Sequence, residues 1–305
     1  MKVVALAGGV GGAKLLIGLD AALGPNLTAI VNTGDDDNLY GVRICPDLDI
    51  VTYWLAGMAD ERRGWGIAGD SFTVVDSLGA LGAPNWFRLG DRDFATCIHR
   101  TRRLTEGATL SAATDEIRRA LGVRAQVLPM SDDEVRTRIV TLDGETLAFQ
   151  DYFVRRRADV DVASVVFAGI EDAKPAPGVV DAIEAAERVI VCPSNPVVSV
   201  APILALSGVR DALAAHPSVV AVTPIVRGAP LKGPADRLLM GLEVEVSASG
   251  VARLYSEWCD IFVVDGSDAS EAERAKGAGI EAVLLDTIMS DRAASARLAE
   301  SLLSL

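Results

Sequence analysis

The chain opens with KVVALAGGVGGAKLL at residues 2–16, a short apolar run followed at once by four glycines and a lysine. Residues 2–7 are strand formers, and residues 27–32 form a second apolar run of strand length. Between them, residues 14–23 place leucines on one face of a helix: Leu15, Leu16, Leu19 and Leu23. This order of strand, loop, helix and strand predicts the opening of a doubly wound, mainly parallel α/β sheet.

The same alternation returns in the last third of the chain. Four buried-strand runs lie at residues 188–192 (RVIVC), 219–222 (VVAV), 261–264 (IFVV) and 282–285 (AVLL). Helical patterns separate them, among them residues 202–215 and 269–277. Strands that alternate with helices are typical of a parallel sheet covered on both faces, so we expect these runs to join the same sheet.

The middle of the chain follows a different pattern. Residues 138–154 alternate around Asp143-Gly144, a dipeptide typical of a two-residue hairpin turn, and residues 104–121 form a polar-faced helix before them. We therefore predict an inserted helix-plus-β-hairpin subdomain at residues 104–168. Residues 1–103 and 169–305 then form the core of the doubly wound sheet.

Charge and composition exclude some classes of function. The 305 residues carry 29 Lys and Arg against 42 Asp and Glu, a net charge of −13. A chain this acidic is unsuited to a nucleic-acid backbone or an anionic membrane surface. A small anionic substrate needs only a local basic pocket, so this class of ligand stays open.

The sequence also predicts a cytoplasmic protein. Four widely spaced cysteines with no CxxC pair are typical of buried thiols in a reducing compartment. Glycines and Lys14 interrupt the N-terminal apolar run, unlike a secretory signal. Three prolines interrupt the longest apolar stretch, residues 189–208, so we expect no membrane span.

The glycine-rich segment, residues 8–14, lies between the first strand and the first helix. Glycines there let backbone N–H groups approach an anion at the positive end of a helix, which predicts a phosphate or diphosphate site, with a plain tight turn as the alternative. Lys14 stands where a dinucleotide fingerprint has its third glycine, and the segment does not match a P-loop either. A second candidate follows residues 188–192, where Ser194 and Asn195 supply either anion contacts or an ordinary helix cap.

An acidic segment follows the second strand. Five carboxylates and one arginine give residues 35–49 a local charge of −4; the carboxylates are Asp35, Asp36, Asp37, Asp47 and Asp49. Carboxylates at the carboxyl end of a parallel sheet are suited to hold Mg²⁺ or to contact substrate. There are two alternatives: the segment is a solvated loop, or one of its carboxylates binds the ribose of a nicotinamide cofactor.

A basic segment lies further along, at residues 86–103, where five arginines against two aspartates give +3. Residues 88–93 alternate in charge beside two aromatic rings, which suits a ring-bearing anionic substrate because guanidinium groups match phosphate and carboxylate oxygens. We therefore assign Arg88, Asp91 and Arg92 to substrate binding.

Together these features favour one reaction class. Two anion sites, a carboxylate cluster and an arginine-rich loop all follow strands of one sheet, a combination that fits Mg²⁺-assisted phosphoryl or nucleotidyl transfer. The sequence shows no serine elbow or Cys–His pair. Direct attack by a hydroxyl group of the substrate is therefore the simpler mechanism.

Read in order, the motifs resemble a known family. They are AGGVGGAKLL (7–16), NTGDD (32–36), CPDLD (45–49), RGWG (63–66), LGDRDFATCIHR (89–100), LPMSDD (128–133), FQDYFV (149–154), PSNPVVS (193–199) and TPIVRGAPLKGPAD (223–236). The chain resembles the 2-phospho-L-lactate transferases, which make the deazaflavin coenzyme F-420 and whose bacterial members are also called phosphoenolpyruvate transferases. The resemblance covers nearly the whole chain.

The resemblance implies a Rossmann-like core, a homodimer and a requirement for Mg²⁺. It implies a guanosine-diphosphate-linked donor, either lactyl-2-diphospho-5′-guanosine (LPPG) or its enolpyruvyl analogue (EPPG). The acceptor would be FO, the riboflavin-like deazaflavin. Its terminal ribityl hydroxyl would attack the phosphorus bonded to the organic acid, releasing GMP and giving F-420-0 or dehydro-F-420-0.

Site roles follow from the same motifs. Asp49 and Arg88 match positions that contact the deazaflavin in the family. Asp47 and Asp49 are our catalytic candidates, and Asp36 with Asp49 our candidate magnesium ligands. The diphosphate of the donor, or of GDP, would lie against the two anion sites, which comprise Gly9, Val10, Gly11, Gly12, Lys14, Ser194 and Asn195.

Two other hypotheses remain open. A nucleotide-sugar-binding regulator is one, because a related group shares the glycine-rich opening. A nicotinamide dehydrogenase is the other, although Lys14 in place of the third glycine speaks against it.

Overall fold

The computed structural model describes residues 1–305. Its strands are β1 (Val3–Ala7), β2 (Leu27–Val31), β3 (Asp37–Leu39), β4 (Val42–Ile44), β5 (Gln126–Pro129), β6 (Arg136–Thr141), β7 (Thr146–Ala148), β8 (Val162–Ala168), β9 (Arg188–Val191), β10 (Val219–Val222), β11 (Ile225–Val226), β12 (Ala229–Pro230), β13 (Ile261–Asp265) and β14 (Glu281–Leu285).

The helices are α1 (Gly9–Leu23), α2 (Pro46–Leu55), α3 (Thr73–Ala80), α4 (Asp91–Thr105), α5 (Leu110–Ala120), α6 (Val179–Ala185), α7 (Ala201–Leu204), α8 (Val209–Ala215), α9 (Ala235–Gly241), α10 (Ala248–Tyr255), α11 (Ala269–Gly277) and α12 (Arg292–Ser304). One 3₁₀ turn (Gly24–Asn26) and two π-helical turns (Asp151–Arg155 and Pro196–Val200) complete the regular structure.

Seven strands form one parallel sheet in the order β14-β13-β10-β9-β1-β2-β5. The order reverses at β1, because β2 and β5 continue on one side and the later strands on the other. This confirms the predicted α/β class with a mainly parallel sheet. In doubly wound sheets, ligands bind at the carboxyl edge beside such a reversal.

Two apolar layers cover the sheet. Successive residues of β1 alternate between them: Val4 and Leu6 pack into one cluster of 43 buried residues, and Val3, Ala5 and Ala7 into another of 30. Helices α1, α2 and α12 supply the smaller cluster. Helices α6, α8, α10 and α11 supply the larger one, together with the antiparallel sheet β7-β6-β8. Burial on both faces explains why the strands read as continuous apolar runs.

Three helices differ from their predicted bounds. Helix α1 begins at Gly9, so the glycine-rich segment is the first turn of the helix rather than a loop before it. The predicted helix at 104–121 is wrong as one element, since α4 ends at Thr105 and α5 begins at Leu110 with Thr109 as its cap. The predicted helix at 202–215 is also two elements, α7 and α8.

The middle segment contains the predicted hairpin, extended by a third strand. Strands β6 and β7 pair antiparallel across residues 142–145, and β8 pairs with the other side of β6. Residues 104–168 also supply β5, the edge strand of the main sheet beside β2. The segment that we set apart as an insertion therefore contributes one strand to the core sheet.

No single helix is long and apolar enough to cross a membrane; the segments Pro196–Leu204 and Val209–Ala215 meet that requirement only when taken together, and they are bent by 89°.

Candidate active site

A cavity of about 690 Å³ opens at the carboxyl edge of the parallel sheet. The segments that follow β1, β2, β9, β10 and β14 all line it, as do the first turns of α2 and parts of α4. Its position beside the reversal at β1 is the one that the topology favours for a ligand. The volume is within the range of cofactor-sized sites.

The two segments that sequence analysis treated as separate anion sites are in contact. Ser194 Oγ accepts a hydrogen bond from the Gly8 N–H (3.0 Å) and donates one to the Gly8 carbonyl (2.8 Å). A Cβ on Gly11 would overlap the carbonyl oxygen of Pro193, and one on Gly12 would lie 2.8 Å from Ser194 Oγ. The close approach of α1 to the segment after β9 is therefore one reason for these glycines.

Asn195 acts as a helix cap. Its Oδ1 accepts hydrogen bonds from the N–H groups of Val197 (2.9 Å) and Val198 (3.3 Å). Asn195 still lines the cavity, together with Gly9, Val10, Gly11, Lys14 and Ser194. Gly12 lies behind them and does not line it.

Two carboxylates, Asp35 and Asp47, face the cavity beside the start of α1; we call them the acidic pair. Asp47 Oδ1 accepts the Gly9 N–H (2.8 Å), and Oδ2 accepts the Asn32 amide (2.9 Å). Asp35 is only 6% exposed, and its Oδ1 is buried without a hydrogen-bond partner. An unpaired buried carboxylate oxygen is costly, and a cation bound to it would offset that cost.

Burial governs the protonation of the acidic pair. It raises the pKa of Asp47 to about 6, against the opposing hydrogen bonds from Asn32 and Gly9. It raises the pKa of Asp35 well above its ordinary value, and the charge of Asp47 adds to that rise. A divalent cation between the two groups would remove both costs, because it favours the charged forms.

Asp36, which we expected to ligate metal, points away from the cavity. Its Oδ2 pairs with Arg43 (3.2 Å) and accepts a hydrogen bond from the Cys45 thiol (2.9 Å). Burial raises the pKa of Asp36 to about 6, and the Arg43 charge opposes that rise. Of the three consecutive aspartates at 35–37, Asp35 lines the cavity and Asp36 does not, so the geometry favours Asp35 over Asp36 as a ligand.

Asp49 and Asp93 face the cavity from a different direction. Residues 47 and 49 are two positions apart in α2, so their side chains leave the helix on nearly opposite sides. Arg100, only 1% exposed, pairs with both oxygens of Asp49 from behind. Asp93 Oδ1 accepts the Tyr53 hydroxyl (2.8 Å).

Asp93 is a titratable group that sequence analysis did not select. Burial raises its pKa to about 7, with the Asp49 charge as the next cause, while the Tyr53 hydrogen bond opposes the rise. Burial also raises the pKa of Asp49, and the charge of Arg100 opposes it. A carboxylate that titrates near neutral pH in a cavity is suited to accept a proton.

Four cationic side chains line the cavity: Lys14, Arg63, Arg88 and Lys232. Arg63 and Arg88 are each paired with an aspartate and lie over aromatic rings. The two lysines have no carboxylate partner; Lys14 Nζ donates to the Met289 carbonyl (2.9 Å) and Lys232 Nζ to the Arg63 carbonyl (2.7 Å).

Aromatic side chains supply much of the remaining wall; they are Tyr53, Trp65, Phe87, Phe149 and Phe153. Phe149 and Phe153 stack with their ring centroids 5.6 Å apart. Flat apolar surfaces of this kind suit a planar ring system. Phe87 is one of the two rings that the sequence places beside residues 88–93, whereas Trp65, Phe149 and Phe153 lie outside the acidic and basic segments, within the RGWG and FQDYFV motifs.

Asp91 and Arg92, which we expected to contact substrate, do not line the cavity. The Asp91 carboxylate accepts the N–H groups of Thr73 (3.1 Å) and Val74 (2.9 Å) at the start of α3. Asp70 in turn accepts the Arg92 N–H (3.0 Å) at the start of α4. Asp91 of α4 therefore caps the start of α3, and Asp70, which precedes α3, caps the start of α4, so these charges serve the helix starts.

The cavity, then, contains nine of the residues that the sequence singled out and adds several that it did not. Those it contains are Gly9, Val10, Gly11, Lys14, Asp47, Asp49, Arg88, Ser194 and Asn195. The main additions are Asp35, Asp93 and Lys232. Asp35 was within the acidic segment and nearest to the strand end. Nothing in local spacing connects Lys232 with Lys14.

Known proteins similar to this chain share one family description. A family model described as 2-phospho-L-lactate transferase CofD matches residues 3–301. The chain is 46% identical over 312 residues to a phosphoenolpyruvate transferase of Streptomyces griseus, covering 100% of this chain and 98% of that protein. It is 47% identical over 314 residues to one of Streptomyces coelicolor, with the same coverage.

Among solved structures, a UPF0052-family protein of Bacillus halodurans superposes with a TM-score of 0.67 and 16% sequence identity, covering 99% of this chain and 98% of that chain. At this identity, the match supports the fold of the chain.

Proposed function

Because the chain belongs to the 2-phospho-L-lactate transferase CofD family, a transferase family of coenzyme F-420 biosynthesis, we propose that it transfers a phosphoenolpyruvyl group from EPPG to FO. The relatives named phosphoenolpyruvate transferase support the enolpyruvyl donor over the phospholactyl one. The observation that carries the proposal is the cavity at the sheet reversal, where unpaired lysines, buried carboxylates and aromatic rings surround one space.

In the proposed reaction, the terminal ribityl hydroxyl oxygen of FO bonds to the phosphorus that carries the enolpyruvyl group. The bond from that phosphorus to the bridging oxygen breaks, and this oxygen leaves with GMP. The hydroxyl proton passes to a carboxylate of the cavity. Asp93 is our candidate acceptor because its pKa of about 7 matches the task, whereas Asp49 is held by Arg100.

The donor set at the acidic pair fits Mg²⁺. Two buried carboxylates, one with an unpartnered oxygen, offer the hard oxygen ligands that this ion prefers. Asp35 and Asp47 would hold the ion, and it would supply charge neutralisation on the phosphoryl oxygens. Hydrogen bonds from the Asn32 side chain and the Gly9 N–H orient Asp47 for that role.

The remaining residues position the substrates. The start of α1 and the lysines would meet the diphosphate, since helix N-termini and ammonium groups both favour phosphate oxygens. Asp49 and Arg88 would meet the deazaflavin, as the resemblance implies, and the aromatic wall would stack against its ring. The aromatic surfaces also exclude water, which protects the donor from hydrolysis.

The test uses purified protein with FO, Mg²⁺ and either EPPG or LPPG, followed by liquid chromatography and mass spectrometry. We expect dehydro-F-420-0 and GMP in equal amounts with EPPG, and no product when EDTA replaces Mg²⁺. If neither donor gives product with FO, the proposal is wrong. Tight binding of a UDP-sugar without binding of FO would favour the regulator hypothesis instead.

A further inference from the structure

Lys14 and Lys232 are the two cations of the cavity without a carboxylate partner. Of the four cationic side chains that line it, both arginines are paired with aspartates, and neither lysine forms an ion pair. This is unusual in a chain with 42 acidic and 29 basic residues. Uncompensated positive charge that faces a cavity points to an anionic ligand.

The present partners of both lysines are neutral. Lys14 Nζ lies 2.9 Å from the Met289 carbonyl oxygen, and Lys232 Nζ lies 2.7 Å from the Arg63 carbonyl oxygen. A carbonyl satisfies a donor but does not balance its charge. Burial lowers the pKa of Lys232, and the charge of Lys14 lowers it further, so the two ammonium groups repel one another across the cavity. An anion between them would relieve that repulsion.

The two lysines come from different elements of the site. Lys14 lies in α1, three residues after Gly11, which also lines the cavity. Lys232 lies on residues 231–234, all of which line the cavity; we call them the strap. Through Lys232, the strap reaches the segment that contains Arg63. A ligand on α1 is therefore met by one ammonium group from the helix and one from the strap.

We propose that Lys232 selects for a diphosphate: together with Lys14 it forms a two-cation site that holds a nucleoside diphosphate more tightly than a nucleoside monophosphate. This inference rests on the proposed function, in which the donor carries a diphosphate and the released nucleotide carries one phosphate. Two adjacent phosphoryl groups can engage both ammonium groups, whereas a monophosphate leaves one of them with only a carbonyl.

The consequence is a route for product release. Once the bond from the acid-bearing phosphorus to the bridging oxygen is broken, the nucleotide keeps one phosphoryl group and the other passes to the acceptor. Lys232 then loses its shared ligand and returns to the Arg63 carbonyl. The site therefore binds its substrate better than its nucleotide product, which favours turnover.

Isothermal titration of the full-length protein with GDP, GMP and inorganic pyrophosphate tests this selection. We expect the wild-type protein to prefer GDP over GMP. Lys232→Gln should weaken GDP and pyrophosphate by about tenfold and GMP by less than about threefold, since one charge-assisted hydrogen bond is lost. Lys232→Arg should keep most of the preference, because it keeps the charge.

Lys276→Gln is the matched control, since Lys276 pairs with Glu273 on α11 and does not line the cavity. It should bind all three ligands as the wild type does. Equal losses for GDP and GMP in Lys232→Gln, or no loss at all, overturn the proposal. A thermal melt of each variant shows whether a loss reflects folding, and Lys232→Arg keeps the test decisive if the glutamine variant unfolds.

The outcome is separable from the proposed transfer reaction. If FO gives no product but the preference for GDP depends on Lys232, the transfer reaction is wrong and the two-cation site stands. If product forms and the preference is unchanged in Lys232→Gln, the reverse holds.

Discussion

Replacing Asp47 by Asn separates the cost of its charge from its role in the reaction. The rise of its pKa from 3.8 to about 6 means that the folded chain without metal holds this charge at a cost of about 3 kcal/mol at pH 8. The unfolded chain loses the proton near pH 4 and the folded chain near pH 6. The stability of the wild type therefore falls as the pH rises between these values, and this contribution is constant above them.

Asparagine at position 47 removes the titrating carboxylate, but it also removes one of the two oxygen atoms that accept hydrogen bonds. Asp47 accepts hydrogen bonds from the Gly9 N–H and the Asn32 amide, and the single carbonyl oxygen of asparagine leaves one of these buried donors poorly satisfied. That loss costs about 1–3 kcal/mol, which offsets most of the gain. At pH 8 in EDTA we expect Asp47→Asn to lie between equal stability and about 2 kcal/mol more stable than the wild type.

Urea unfolding followed by circular dichroism, at pH 4.5 and pH 8 in EDTA, measures this difference. We expect the stability of the variant relative to the wild type to increase as the pH rises, and Mg²⁺ to raise the urea midpoint of the wild type but not that of Asp47→Asn. Turnover should fall by about 100-fold or more. Asp37→Asn, at a position on β3 that does not line the cavity, is the matched control. A stability difference that is independent of pH, or a loss above about 3 kcal/mol at pH 8, would refute the reasoning.

Three further substitutions test the supporting structure. Arg100→Met should cost about 3–5 kcal/mol at pH 8 because it leaves Asp49 buried without its partner, and adding Asp49→Leu should recover most of the loss; equal instability of the single and double variants in urea would contradict this. Gly8→Ala should abolish turnover, because its Cβ would lie 2.5 Å from a carboxylate oxygen of Asp47. Gly277→Ala, which has open space around it, is the control and should leave turnover unchanged. Asp91→Ala should lower the melting temperature through loss of the α3 cap and leave the KM of both substrates unchanged; a raised KM in a fully stable variant would restore its predicted role in substrate binding.

The strands of the main sheet were the most predictable part of the fold. Residues 219–222 and 269–277 are β10 and α11 with the bounds that the sequence predicts. Both faces of the sheet are buried, so each strand is a short apolar run between polar segments, and the pattern needs no tertiary information. The edge strand β5 was missed because its four residues include a proline and lie beside a hairpin that explained the neighbouring pattern.

The break between α4 and α5 had a local signal that the periodicity concealed. Gly107 adopts a positive φ of 90°, and Thr109 caps α5 by accepting the Ala112 N–H. Glycine after one helix and threonine before the next are typical end and start signals. Apolar residues at helical spacing on both sides made residues 104–121 look continuous.

The sequence indicated which carboxylates lie near the site, but not which of them are free to bind a ligand. Which carboxylates lie near the site followed from their position after a strand end, and Asp47 and Asp49 do face the cavity. Which ones are free to bind depended on their partners in the fold: Arg100, far along the chain, for Asp49, and Arg43 with Cys45, on and just after β4, for Asp36. Local spacing carries no information about such contacts, so Asp35 could not be chosen over Asp36 from the sequence.

The cavity holds uncompensated charge of both signs, and this has a consequence for the order of its ligands. A diphosphate satisfies the two lysines but is repelled by the acidic pair, which a divalent cation neutralises. Each ligand therefore removes a cost of binding the other, and the coupling is reciprocal. We expect Mg²⁺ to lower the Kd of GDP in the wild type and in Lys232→Gln, and to have little effect in Asp47→Asn. Titration calorimetry with and without Mg²⁺ measures the coupling. An equal dependence on Mg²⁺ in all three proteins would mean that the ion binds elsewhere, since the acidic pair would then have no part in admitting the diphosphate.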